Sequence, residues 1–254
     1  MWKYGFASVI GTWHARAGVP LQDASRATVI RDARGAELLL AAVSDGAGSA
    51  AQSHIGSRLA CEFWLEAVTE HCAAGGTLAE LVDGFVPRWL MQCQQRFAQT
   101  AQVSGFTLED YACTFLAAVV GAEEAVYVQL GDGAMIEAAG DDYNVVCWPQ
   151  QGEYANSTNF LTDADAANKC FVERRKQRVD EVALFTDGVQ SLVLDYRTRT
   201  AHAPFFAPLF AWLRPRGTGH SQELSQSLDV YLNSAKINAR TDDDKTLILA
   251  TRRI

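Results

Sequence analysis

The chain has 254 residues, 48% of them apolar, enough for a substantial core in one domain or two small ones. Its net charge of −8, a pI of about 5.1 and the lack of any basic run argue against a nucleic-acid partner, since binding a phosphate backbone needs clustered Lys and Arg. Nothing approaches the roughly 18 uninterrupted apolar residues of a membrane span. The N-terminus MWKYGFASVIG, with one Lys and no long apolar stretch, is not expected to act as a signal peptide.

In chain order, WKYGFASVIG alternates bulky and small residues, ATVIRDA follows, and ELLLAAVS reads as a buried strand. Between Ala50 and His71, apolar residues recur at Ile55, Leu59, Phe63 and Ala67, a helical stripe. Gly75-Gly76 breaks it, and Thr77 is placed to cap a second helix running to about Thr100. ACTFLAAVVG and EAVYVQLGDG are β-rich runs joined at Gly121-Ala122-Glu123, a predicted hairpin. Two more such runs, KCFVERRK and EVALFTDG, precede helical patterns over roughly 188–235, and KTLILATRR closes the chain as a strand. There is no internal repeat, low-complexity tract or linker. These blocks predict one compact domain over 1–254, of α+β class rather than strict β-α alternation.

Six cysteines, Cys61, Cys72, Cys93, Cys113, Cys147 and Cys170, never form C-x-x-C. They read as reduced thiols of a soluble, cytoplasmic protein, not as a disulfide or zinc framework. Trp64, Phe85 and Trp89 fall on helical stripes and are expected in the core. Asp163 and Asp165 sit as in a calcium loop, but its Gly and terminal Glu are missing, so a surface turn is expected. The segment GEYANSTNF fits either a groove lining or a plain loop.

The acidic residues carry the chemistry. Asp45-Gly46 ends ELLLAAVS, Asp132-Gly133 follows VYVQLG, Asp187-Gly188 follows VALFT, and Asp242-Asp243-Asp244 precedes the last strand. One Asp-Gly pair is an ordinary turn. Three at strand ends, with an acidic triplet at a strand start, suggest carboxylates brought to one place, where like charges persist only if something positive binds between them. All-oxygen ligands with no His or Cys nearby suit a hard cation such as Mg²⁺ or Mn²⁺.

Gly46-x-Gly48-x-x-Ala51 after a strand also loosely matches a dinucleotide fingerprint. Asp45 would then lie beside the pyrophosphate, and the stretch about 20 residues on reads as helix (LACEFWLEAV) where a second strand is needed. There is no G-x-x-x-x-G-K-[ST], and no cysteine has an Arg six positions later as a cysteine-nucleophile phosphatase requires.

In this order the acidic segments resemble those of the PPM family, the metal-dependent protein Ser/Thr phosphatases of type 2C, and especially its small stand-alone bacterial members. PLQDAS looks like the family's first motif, VSDGAGS like its V-x-D-G-x-G segment and ACTFLAAVV like its G-T-T strand. VQLGDGAMI resembles the G-D-S hairpin strand, ALFTDGV the S-D-G segment, and DDDKTLILA the closing D-N-x-[ST]. The resemblance spans nearly the whole chain. It implies an α-β-β-α sandwich of two antiparallel sheets flanked by helix pairs, roughly 50–100 on one side and 188–235 on the other.

It also implies two Mn²⁺ or Mg²⁺ ions and a weaker third. Asp45 would bridge the two, with Gly46 as a backbone ligand, Asp187 and Asp243 completing the first ion, Asp23 serving the cluster directly or through water, and Asp132 matching the third-metal acid. Asp45, Asp187 and Asp243 would then be the catalytic acids, activating water without a covalent intermediate. The implied partner is a phosphoprotein, such as a target of a cognate Ser/Thr kinase. The alternative is a catalytically weak or inactive sensor or scaffold of the same fold, although such relatives usually lose one of these acids.

Some positions depart from the family pattern. Gln22 stands where many members have Glu, Gly133 replaces Ser, and Asp244 replaces Asn. Ala47 occupies the position of a His proposed as general acid in animal enzymes, which leaves water to protonate the leaving group. The usual phosphate-gripping Arg is Gly18 here. His14 or Arg16 could reach in instead, although His14 reads more readily as a hydrogen-bonded structural residue. Backbone N–H groups of Ala47 to Ser49, at an expected helix start, are the other candidates for holding phosphate.

Overall fold

The structure is a computed structural model describing residues 1–138, 140, 142–150 and 158–254. Its first strands are β1 (Lys3–Val9), β2 (Ala24–Arg31) and β3 (Glu37–Ser44), with a short helix α1 (Thr12–Ala17) between β1 and β2. Helix α2 (Ser53–Ala73) and a helix over Val86–Ser104 lead to β4 (Phe115–Val120), β5 (Ala125–Leu130), β6 (Ala134–Ala138) and β7 (Tyr143–Val145). Then come β8 (Phe171–Arg175), β9 (Glu181–Phe185), a run of helices, and the closing strand Lys245–Thr251.

One sheet has the order β2-β3-β4-β5-β8 and is antiparallel throughout. The other runs from Gly219–His220 through β1, the closing strand, β9 and β6 to β7. It is antiparallel except where Gly219–His220 pairs with β1.

The alternation of a strand's side chains places each sheet between two apolar layers. In β3, Leu38, Leu40 and Ala42 pack under the first helices while Leu39, Ala41 and Val43 face the other sheet. In β4, Phe115, Ala117 and Val119 take the helix side, and Leu116, Ala118 and Val120 the sheet side. The closing strand sends Ile248 and Ala250 inward and Leu247 and Leu249 outward, toward Phe206, Phe210 and Leu228 on the later helices. A strand buried on both faces shows an unbroken apolar run, as ELLLAAVS and KTLILAT do. The result is the α-β-β-α sandwich that the family resemblance implied, with Trp64 and Trp89 buried and in edge-to-face contact in the first helical layer.

Several elements differ from the sequence reading. Thr77 does cap a helix, through a reciprocal capping box with Glu80. That helix is interrupted: Leu78–Glu80 passes into a π-turn at Leu81–Phe85, where Gly84 has φ 154°, and a new helix starts at Val86 with Pro87 in its first turn. On the other face, the expected helix pair is three helices, Asp187–Val193, Ala203–Leu213 and Gln222–Leu232, plus the short Ala235–Asn238. A small hairpin, Leu194–Asp195 with Thr200–Ala201, separates the first two.

The six cysteines are free. Asp163 and Asp165 lie in a turn, both paired with Lys169. Of GEYANSTNF, residues 152–157 lie outside the described residues. Among the described residues, no helix is long and apolar enough to cross a membrane.

Candidate active site

The strand register brings the acidic residues to one end of the sandwich. Ala24 pairs with Ser44 and Phe115 with Leu130, so the start of β2, the end of β3 and the end of β5 share one edge. In the other sheet, Phe185 lies opposite both Ala134 and Leu247, which sets the end of β9 beside the starts of β6 and of the closing strand.

Each loop holds its acid by identifiable bonds. The Asp45 N–H donates to Thr114 Oγ1 at 3.0 Å, and the Thr114 N–H to the Asp45 carbonyl at 2.8 Å. A side chain on Gly46 would press into Ser53 and the Gln22 carbonyl. Asp132 occupies a tight turn between Gly131 (φ 98°) and Gly133 (φ 85°), and its N–H donates to Thr158 Oγ1 at 3.1 Å. Serine at Gly133 would place a Cβ 2.7 Å from the Phe185 carbonyl in a conformation that L residues avoid, so this departure from the family pattern has a local steric cause. Asp187 opens the helix Asp187–Val193, and its neighbour Gly188 passes so close to the Asp244 carbonyl that any side chain there would collide with it.

These loops surround a cavity of about 300 Å³ lined by Asp45, Asp132, Asp187 and Asp243 together with Trp13, His14, Gln22, Thr114, Thr158 and others. Carboxylate oxygens of Asp45, Asp132 and Asp187 all lie within 4.8 Å of one another. No Lys or Arg is among the described lining residues. Asp23 lies behind the cavity, buried, with Oδ2 accepting from Thr186 Oγ1 at 2.7 Å and Oδ1 without a partner; Gln22 Oε1 is likewise buried and unpaired.

Charge crowding follows. Burial first, then the charges of Asp23, Asp187 and Asp243, push the Asp45 carboxyl well above the usual carboxylate range. Burial and then the neighbouring Asp132 and Asp243 push Asp187 up to about 7, and burial with Asp244 pushes Asp23 up to about 8. Half-buried carboxylates facing one another, unpaired oxygens behind them and an all-oxygen donor set fit hard divalent cations.

A larger cleft of about 560 Å³ lies at the opposite end of the first sheet, near Arg34, Glu124 and Arg174. Its Arg174 donates to Glu124 at 2.6 Å, and among the described residues it gathers no comparable set of carboxylates.

A sequence profile described as Protein phosphatase 2C matches residues 10–229. The chain belongs to this family. It is 34% identical over 249 residues to Serine/threonine-protein phosphatase 3 of Escherichia coli strain K12, a match covering 98% of both chains. Similar solved folds include PppA of Pseudomonas aeruginosa (TM-score 0.64, 18% identity, 98% of this chain and 97% of that one). Another is the catalytic domain of the serine/threonine phosphatase PstP, solved with two manganese ions (TM-score 0.63, 15% identity, 98% and 97%). A third is the phosphatase Stp1 of Staphylococcus aureus (TM-score 0.62, 16% identity, 100% and 96%).

Within this phosphatase fold, Asp45, Gly46, Asp132, Asp187 and Asp243 all line the acidic cavity, with Asp243 outside the tightest trio and Asp23 behind the wall. His14 lines the cavity too, but Arg16 is exposed on α1 and does not. Gly18, at the position of the missing Arg, is the left-handed C-cap of α1 (φ 69°).

The helix-terminus expectation for phosphate is corrected. Helix α2 begins at Ser53, and the Ala47 N–H is already bonded to the Ala112 carbonyl at 2.9 Å. The residue that sequence reasoning missed is Asp244. It is buried, accepts from the N–H groups of Gly11 and Gln22 at 2.6 Å each, and lies 2.8 Å from His14 Nδ1. Its signals in the sequence were its place in an acidic triplet and its position at the Asn of the closing motif.

Proposed function

We propose that the chain hydrolyses phosphoserine and phosphothreonine in proteins, such as targets of a cognate Ser/Thr kinase, at the acidic cavity. The observation that carries this reading is the trio Asp45, Asp132 and Asp187, gathered within 4.8 Å with no Lys or Arg among the described lining residues. Asp45 would be shared between two ions, with the Gly46 carbonyl, Asp187 and Asp243 as further ligands, Asp23 serving directly or through water, and Asp132 holding a weaker third ion. Mn²⁺ or Mg²⁺ bound there would supply an acidified water and offset the charge on the phosphoryl oxygens.

The protein's own groups do the rest. Thr114 holds the Asp45 backbone and Thr186 the Asp23 carboxylate, which limits the reorganisation needed when a cation arrives. The acidic wall repels a phosphate dianion until cations are bound, which ties substrate affinity to metal. Trp13, 55% exposed at the rim, offers a flat apolar surface for the peptide carrying the phosphate. No cysteine is among the described lining residues, in keeping with direct attack by water. The test is phosphate release from phosphoserine and phosphothreonine peptides with and without Mn²⁺. Protein that releases none with the metal present would sink the reading.

A further inference from the structure

We propose that His14 is the general acid that protonates the departing serine or threonine oxygen, held in place by Asp244; the proposal rests on the phosphatase reading above. A serine alkoxide is a very poor leaving group, and expelling it at neutral pH calls for a proton donor at the reaction site. The carboxylates of the cavity are committed to cations, and Ala47 has no proton to give. Among the described lining residues, His14 is the one side chain of a type that titrates near neutral pH.

Its surroundings match the task. His14 is 6% exposed, and its Nδ1 lies 2.8 Å from Asp244 Oδ1, within ion-pair distance though outside hydrogen-bond geometry. Asp244 is itself fixed by the N–H groups of Gly11 and Gln22, one on each carboxylate oxygen. It is the positioning residue: a carboxylate within ion-pair distance of one ring nitrogen attracts the proton there and leaves the other nitrogen for the cavity. Nε2 has no protein partner among the described residues, and His14 shares the cavity wall with Asp45 and Asp243. Around the ring stand Asp244 behind it, Asp45 and Asp243 across the cavity, and Lys245, whose Nζ donates to the Asp243 carbonyl at 3.1 Å. Arg16 on the same helix is exposed, and the Trp13 ring meets the imidazole edge-on at 5.1 Å.

In the step itself, the ester O–P bond breaks as water's oxygen bonds to phosphorus. The departing oxygen takes the proton from Nε2 of the imidazolium. Water's surplus proton leaves to bulk solvent, from which His14 is reprotonated.

Leaving-group chemistry provides the test. p-Nitrophenolate departs without a proton, whereas the serine of a phosphopeptide requires one. His14→Asn keeps an N–H for Asp244 and removes the acid; His14→Ala is the second variant should the first unfold. With Mn²⁺ present, kcat on the phosphoserine peptide should fall by about 10²–10⁴-fold. On p-nitrophenyl phosphate it should fall far less, so that the ratio of the two rates changes at least about tenfold, with the melting temperature near that of the unaltered protein. Equal losses on both substrates, or a rise in KM alone, would overturn the proposal, since a structural or phosphate-gripping residue affects both alike. Unaltered protein inactive on both substrates would sink the phosphatase reading and this proposal together, whereas active protein with equal losses sinks only the assignment to His14.

Discussion

Carboxylates wholly or partly withdrawn from solvent occur in two regions of this molecule, and they are treated in opposite ways. In the second sheet, Glu181 is fully buried and accepts both Arg214 guanidinium bonds at 2.9 Å and the Thr251 hydroxyl at 2.9 Å. Glu137 nearby accepts from the Tyr127 hydroxyl at 2.6 Å, from Gln177 at 2.9 Å and from Arg175. Each of these acids is matched to donors, as a buried charge must be if it is only to hold the fold. At the cavity end, Asp45, Asp132 and Asp187 are matched to one another, and Asp23 keeps an oxygen with no donor. The first arrangement is complete without any other species; the second leaves like charges facing one another with no protein cation between them among the described lining residues.

The largest effect that sharpens this contrast is catalytic. Asp45→Asn should lower Mn²⁺-stimulated phosphate release by about 10³-fold or more, the equivalent of several kcal/mol of transition-state stabilisation. It should also raise the melting temperature of the metal-free protein, because it relieves repulsion. A variant with near-normal turnover would break the ligand assignment.

Next comes the paired region. Arg214→Ala leaves Glu181 short of its main cation and should destabilise the fold by about 3 kcal/mol, the lower part of the range for breaking a buried pair, since the Arg214 side chain is 28% exposed. Chemical denaturation measures the loss. The activity per folded molecule should be unchanged, and a selective loss of turnover would erase the distinction between the two regions.

The pH response should separate the regions further. Asp23 and Asp187 have folded-state values raised to about 8 and about 7, above the ordinary carboxylate range. A raised value means the folded state holds protons that the unfolded chain releases, so the contribution is present at acid pH and lost as pH rises through 7 and 8. The melting temperature in EDTA should therefore fall between pH 5 and 8, and Mn²⁺ should restore it most at the upper end. A flat profile in EDTA would contradict the crowding. The smallest effect is expected far from the cavity: Thr77→Ala, which removes the capping box with Glu80, should cost about 1 kcal/mol with kcat unaltered.

Much of this arrangement was readable in the chain. Strands buried on both faces announce themselves as apolar runs, and Asp-Gly at the ends of three of them marked where acids leave the sheets. The Gly121–Glu124 turn closes the predicted hairpin, its ends joined by the Gly121 N–H to the Glu124 carbonyl at 2.8 Å. What escaped was set by distant partners or by weak local patterns. β7 is three residues long and only half-buried, too short for a periodic signal. The first helical block reads as continuous from Thr77, because a single glycine does not reveal that the backbone will turn out of the helix at Gly84.

The acidic triplet shows most directly where the sequence by itself stops. Composition, the order of the strands and the succession of acids determined the layered fold and the presence of an acidic centre, because both depend on patterns a few residues long. Asp243 and Asp244 are adjacent and identical in type, and nothing local separates them. Only the tertiary structure sends one to the cavity wall and buries the other against Gly11, His14 and Gln22, more than 220 residues away in the chain. A carboxylate's role depends on which donors and charges surround it, and the packing of the two sheets supplies those.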